Sequence, residues 1–285
     1  MQEFIEKADV LIEALPYIRR FRDKIVVIKY GGSSQVNQAL KRSAIEDMVF
    51  MYFMGIKVVV VHGGGPFIEE TLVKRGKKSN FVHGLRVTDK ETLEVVEDVL
   101  FNQVNREIAE MINAAGARAH SLMDKEARLI KARRLEKNKE LGLVGEVMEI
   151  SPVLVGLLKN EEAIYVLAPL AAEEGGQLLN INADHFAGEL AASIPAEKII
   201  FMTDVPGIMR NREDPSTLIP TFKAGDIDGF IKDGIIEKGM IPKVRAAEVC
   251  LENGVSKVHI IDGRLKHALL LEVFTDKGVG TEIIP

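Results

Sequence analysis

Apolar residues along this 285-residue chain follow two rhythms. Short unbroken runs rich in β-branched residues, IVVI at 25–28, VVVV at 58–61 and IIFM at 199–202, read as strands buried on both faces. Between such runs apolar positions recur every three or four residues, which predicts helices over 5–15, 36–54, 67–74, 153–158, 224–232 and 266–274. Thr88 and Asp89 are expected to cap a further, long helix that runs to about Ala114. Pro16 ends or bends the first helix, whose wide apolar stripe must dock either on its own domain or on a neighbouring subunit. More strands are expected at 163–170, 198–203, 257–261 and in the closing GVGTEII. The segments 117–122, 128–132 and 143–150 predict a hairpin region on the rim of the sheet, and ARRLEKNKELG at 132–142 reads as a solvated loop. Strand, helix and strand in succession over 25–61 form the crossover unit of a parallel sheet, so the fold class is α/β. No linker rich in Pro, Gly or Ser divides the chain, and no internal repeat is visible.

Several strands end in glycine. IVVIKYGGSS at 25–34 delivers Lys29 and a bare backbone turn to a strand's C-terminal end, and VVVVHGGGP at 58–66 repeats the design ahead of a helix. Glycines there let backbone N–H groups converge on an anion, with a helix N-terminus behind them. Simple chain reversal is the other reading of such turns, and Lys29 favours the anion. Neither turn matches GxxxxGK[ST] or GxGxxG. The strand at 198–203 makes a third such junction through Asp204, Pro206 and Gly207. Glycines also set Lys243 at the start of a helix, against the helix dipole, which suits a ligand better than a structure. Asp184 stands where a helix begins, as an N-cap, as an organiser of nearby lysines, or as both. His83 and Arg86 offer themselves to anions; Arg86 either grips a carboxylate bidentately or lies solvated on the surface.

A net charge of -5 and a pI near 5.8 supply no basic field, which argues against nucleic acid as a partner. The single cysteine, Cys250, lies in a helical pattern and reads as a small core residue, leaving neither an internal disulfide nor a cysteine zinc site. The glutamate-bearing N-terminus resembles neither a signal peptide nor a span, and no apolar run is long enough for a bilayer, so a cytoplasmic chain without membrane contact is expected.

The segments KYGG, HGGGP, HGLRVTD, LLNINAD, TDVPGI, GMIPK and HIIDGRLKHALLLE occur in the order and spacing of the amino acid kinase family, which nearly the whole chain resembles. The resemblance implies an open three-layer αβα sandwich around a central, mainly parallel sheet. It implies an N-terminal helix at 1–24, a lobe at 25–175 for acyl amino acid binding and dimerisation, and a nucleotide lobe at 176–285. Among family members the chain is most similar to those that phosphorylate N-acetyl-L-glutamate with ATP and Mg2+, in the second step of arginine biosynthesis. On that basis Lys29 and Lys243 flank the transferred phosphoryl group, Asp184 holds both lysines, and the N–H groups of Gly31, Gly32 and Gly65 neutralise charge. Gly64, Gly65, Arg86 and Asn180 bind the acyl amino acid; Thr203, Asp204, Gly207, Gly239 and Met240 line the nucleotide side. No protein metal site is implied, Mg2+ being carried on the ATP phosphates. Tyr17, Lys198, His267, Glu272 and Gly278 match an arginine site, and the N-terminal helix resembles one that joins three homodimers into a hexamer inhibited by arginine. The chain departs from the family at Ser121 to Ala127, SLMDKEA, where relatives carry a glycine-rich turn, at GSSQ, and at Lys238, where relatives have glycine; the first two changes bear on acyl-group specificity. Two alternatives accompany this reading: a related kinase for another acyl acid, and an amino-acid-binding regulator without catalysis.

Overall fold

In the computed structural model, which describes residues 1–135, 139–160, 162–275 and 278–285, the all-apolar runs lie at the centre. Ile25–Tyr30 is buried at every position and pairs in parallel with Lys57–His62 on one side and Ala196–Thr203 on the other. Unbroken Val and Ile suit such a strand because both of its faces are covered, and each side chain so buried is worth roughly 1.5–3 kcal/mol. Outward from Lys57–His62 come Ile164–Leu167 and Ala119–Leu122; outward from Ala196–Thr203 come Lys257–Asp262, Thr281–Ile284 and Thr221–Lys223, completing eight strands. Among the described strands of this sheet, only Lys257–Asp262 and Thr281–Ile284 pair antiparallel. The chain builds away from Ile25–Tyr30 in one direction first and in the other afterwards, so a crevice opens at the C-terminal ends of Ile25–Tyr30 and Ala196–Thr203.

A second, small sheet closes on itself from Ile130–Arg134, Val144–Ile150, Leu170–Ala172 and Leu178–Ile181. Leu178–Ile181, which follows the expected 175/176 boundary, belongs to this sheet. Two expectations need correction. Ala119–Leu122 is no part of the hairpin region: it follows a helix, returns parallel, and forms an edge of the main sheet. The strand expected over 163–170 is two strands, Ile164–Leu167 and Leu170–Ala172, in different sheets; Pro169 between them has no N–H to offer a ladder. Residues 136–138 of the charged run lie outside the described residues.

Gln2–Glu13 and Leu15–Phe21 are separate helices meeting at Ala14, with Pro16 in the first turn of the second, where a missing N–H costs nothing. Phe4, Val10, Leu11 and Ile12 are all more than half exposed. The long helix is continuous through Lys90–Glu97, a π-wound stretch Asp98–Asn105, and Arg106–Ala114, and Asp89 caps it by accepting the Thr92 N–H. Its wide turns carry buried Leu100 against Gly64, where any Cβ would overlap the leucine. Among the described residues no helix is long and apolar enough to cross a membrane.

Candidate active site

Lys29, near the end of the central strand, brings its Nζ to 3.1 Å from Asp184 Oδ1. Lys243 Nζ donates to Asp184 Oδ2 at 2.7 Å. The two lysines come from elements more than 200 residues apart in sequence, on either side of the crevice. Asp184 lies in the first turn of Ala183–Ser193, but the cap of that helix is Asn182, whose side-chain oxygen accepts from Asp184 N and His185 N. The N-cap reading of Asp184 is thereby corrected, and its carboxylate is left to the lysines. Burial alone would raise the Asp184 pKa, yet the two ammonium groups hold it below the usual carboxylate range. For Lys243 burial dominates and lowers the pKa, with Lys29 adding repulsion and Asp184 opposing both. Two ammonium groups against one carboxylate leave surplus positive charge, the setting for an anion.

This cluster stands between two cavities. One, of about 290 Å³, is lined by Lys29, Asp184, Gly31, Gly32, Gly64, Gly65, Arg86 and Asn180. The other, of about 340 Å³, is lined by Lys243, Thr203, Gly207, Gly239 and Met240. Bare backbone is required at the junction: a Cβ on Gly31 would meet Lys29 Nζ at 2.7 Å, and Gly32, at φ +74°, would drive one to 2.6 Å from Asp204 Oδ1. Gly65 opens the helix Gly65–Lys74, so its N–H has no acceptor within the helix, and the residue lines the 290 Å³ cavity.

Arg86 is buried, which overturns its reading as a solvated surface residue. The hairpin Phe81–Val82 and Leu85–Arg86 turns through His83 and Gly84, both at positive φ, and lays the guanidinium 4.8 Å from the centre of the Phe81 ring. Arg86 donates to Glu69 at 3.1 Å, to the Ser79 hydroxyl and to the Gly65 carbonyl at 3.4 Å. Exposed His83 is not among the residues lining the cavity. Asn180 donates to Thr88 Oγ1 at 3.1 Å. Asp204 accepts from both the backbone N–H and the hydroxyl of Ser33, at 2.8 and 2.7 Å, tying the first glycine turn to the opposite half; it is not among the residues that line the 340 Å³ cavity.

Sequence reasoning passed over several lining residues, Gln35, Arg212 and Lys238 among them. Gln35 is buried beside the substrate-sized cavity, donating to the Gly63 carbonyl at 3.2 Å with its own oxygen unpartnered among the described residues. Arg212 and Lys238 line the other cavity. The GSSQ and Lys238 departures were the available signals for two of them; Arg212, in a charged loop, gave none.

A third cavity, of about 170 Å³, brings together Tyr17, Lys198, Glu272 and Gly278 with Arg20, Lys257, His259 and Glu282. Glu272 accepts the Val279 N–H at 3.0 Å and touches His259 Nδ1, while Lys198 lies 4.0 Å away. Burial brings Lys198 down to about 8 and also lowers His259; burial would raise Glu272, but its partners hold it below the ordinary range. His267 is not among the residues lining this cavity. Its Nδ1 lies 2.7 Å from Asp47 Oδ1 and its backbone N–H donates to Ser43 Oγ at 2.9 Å.

Comparison with known proteins identifies the family. Acetylglutamate kinase of Heliobacterium modesticaldum is 48% identical, with 100% of each chain covered. Among solved structures, N-acetylglutamate synthase from Neisseria gonorrhoeae complexed with coenzyme A and N-acetyl-glutamate has a TM-score of 0.85 at 24% identity, covering 98% of this chain and 63% of the synthase. The same synthase complexed with coenzyme A and L-arginine has a TM-score of 0.78 at 25% identity, covering 97% and 65%. The amino acid kinase family model matches residues 24–262, a span that takes in the central strand, both lysines and the carboxylate between them, and the chain belongs to that family.

Proposed function

We propose that the chain transfers the terminal phosphoryl group of ATP to the side-chain carboxylate of N-acetyl-L-glutamate, giving N-acetyl-L-glutamyl 5-phosphate, a step of arginine biosynthesis. The observation that carries this reading is the Lys29–Asp184–Lys243 cluster between two ligand-sized cavities. Phosphoryl transfer asks the protein chiefly for in-line positioning and for fixed positive charge around the equatorial oxygens. Lys29 meets the moving group from the acyl amino acid side and Lys243 from the nucleotide side. Asp184 keeps the two ammonium groups from separating, while Gly31, Gly32 and Gly65 direct N–H groups inward. Arg86, with Gly64 and Asn180 beside it, exchanges Glu69 for the substrate's α-carboxylate, a stronger bidentate partner. Thr203, Gly207, Gly239 and Met240 take the nucleotide, with Asp204 bracing the turn that faces it. Mg2+ would enter on the nucleotide's own phosphate oxygens and there offset their negative charge.

Arginine is the ligand we assign to the 170 Å³ cavity, where the Glu272 and Glu282 carboxylates suit a guanidinium and Lys198 and Lys257 suit a carboxylate. The arginine complex of the Neisseria synthase supports this choice. The exposed apolar face of Gln2–Glu13 supports assembly through that helix, as a hexamer built from homodimers.

The test is acyl phosphate formed from ATP, Mg2+ and N-acetyl-L-glutamate, trapped with hydroxylamine, with and without arginine. Turnover that arginine suppresses is expected. Turnover on a different acyl acid alone would discard the substrate, and indifference to arginine would discard the inhibitor. Removal of residues 1–14 is expected to reduce the solution mass to that of a dimer; an unchanged mass would sink assembly through the helix.

A further inference from the structure

Lys238 occupies a conformation that its side chain does not favour. It begins the 3-10 turn Lys238–Met240 at φ +43°, in the left-handed region where a Cβ crowds the backbone and where glycine sits freely. It has no Asn-like or Asp-like side chain to compensate through a local hydrogen bond. The residue after it is a glycine at an ordinary φ, so the turn carries its strain on the lysine and its freedom where none is needed. Strained non-glycine residues persist where the side chain has a use.

The surroundings indicate that use. Lys238 lines the 340 Å³ cavity together with Lys243, whose ammonium group reaches the Asp184 cluster from the same side. Among the described residues no carboxylate lies within ion-pair reach of Lys238, although its neighbour Glu237 is in contact with Arg212, another residue of the cavity wall, at 3.5 Å. The wall therefore holds one cation committed to Asp184, one matched to Glu237, and an exposed one, Lys238, without a partner.

We propose that Lys238 is a nucleotide-binding residue, its ammonium group pairing with the phosphates of ATP at the cavity wall. The inference rests on the reading of this cavity as the nucleotide side. Lys29 and Lys243 share their charge with Asp184, so the triphosphate, even with Mg2+ on it, brings more negative charge than they leave over, and an unpaired lysine there meets it without first breaking an ion pair. The binding outweighs the conformational cost of a left-handed lysine.

The test sets charge against conformation at one position. Lys238→Gly is expected to raise the KM for ATP and the Kd of a non-hydrolysable ATP analogue by about 3–10-fold at low salt, with kcat near that of the parent. It is also expected to raise Tm by about 1–3 °C, because glycine relieves the strain. Lys238→Ala should weaken nucleotide binding equally without the gain in Tm, and Lys238→Arg should bind as the parent does. The differences in Kd should shrink as salt is added. Unchanged nucleotide affinity in both the Gly and Ala variants, in a parent enzyme that makes acyl phosphate, overturns the assignment of Lys238 alone. A parent that turns over no ATP and binds no analogue overturns the reading of the cavity, and this proposal with it.

Discussion

Asp184 and Asp47 are both buried, at 6% and 1% exposure, yet their ionisation is pushed in opposite directions. Burial acts strongly on both: it pushes Asp47 up to about 6, whereas at Asp184 the neighbouring lysines overcome it and hold the carboxyl below the ordinary range. The difference is in their partners. Asp184 faces two lysine ammonium groups. Asp47 faces the His267 ring and the N–H of Leu269, at the start of the helix Ala268–Val273. Desolvation sets a similar handicap for both; fixed positive charge offsets it at one and not at the other. One carboxylate thus organises a site for anions between two open cavities. The other fastens the C-terminal helix to Gln38–Phe53, and its carboxyl is half neutral in mildly acidic solution.

Removing a lysine is the harshest way to break this contrast. Lys243→Ala is expected to lower turnover by about 10²–10³-fold, the range for loss of one group that stabilises transition-state charge, while circular dichroism remains that of the parent. Near-normal hydroxamate formation would remove Lys243 from the chemistry.

Asp184→Asn should cost turnover about 10²-fold by leaving two ammonium groups to repel each other. It also tests the sign of the pKa shift. A carboxyl depressed in the folded state contributes stability above its unfolded value of 3.8, and that contribution disappears as pH falls through the folded value. Urea unfolding should therefore show parent and variant far apart at pH 7 and converging as the pH falls below about 3.8. A constant gap would mean that Asp184 is not depressed.

Asp47→Asn is the mildest test and runs the other way. Between the unfolded value of 3.8 and the folded value of about 6 the native protein binds more protons than the unfolded chain at this residue, so stability falls as pH rises through that window and levels off above it. The variant should flatten that slope, by about 1–3 kcal/mol across the window, with turnover in the absence of arginine unaltered. A variant that retained the slope would assign it to another group.

The sequence made one of these aspartates visible and hid the other. Asp184 was legible because NINAD sets a carboxylate at a helix start while KYGG and GMIPK each set a lysine near glycine, so that a carboxylate and two cations are all placed at element ends. Asp47 lies on an unremarked helix face, and its partner His267 is 220 residues away, so no local periodicity could join them. His267 read instead as part of the cavity that Tyr17, Lys198, Glu272 and Gly278 do share. The solvated alternative for Arg86 failed for a related reason: its burial depends on Glu69 and Phe81, from a helix and a hairpin whose mutual packing leaves no mark on the residues flanking the arginine. Strands that are apolar throughout declared themselves, whereas Ala119–Leu122, whose first three residues are half-buried at the sheet's edge, was legible as a strand but not as to which sheet it joins.

The central position of Ile25–Tyr30 has a consequence for synthesis. One of its edges is covered by Lys57–His62 soon after both emerge, but the other waits for Ala196–Thr203, some 170 residues later. Until then a nascent chain exposes an unpaired edge of Ile and Val with nothing charged between Lys24 and Lys29, the kind of edge that recruits other chains. Translation arrested before residue 196 would leave that edge permanently open, so fragments that stop short of it should aggregate more readily than the complete chain.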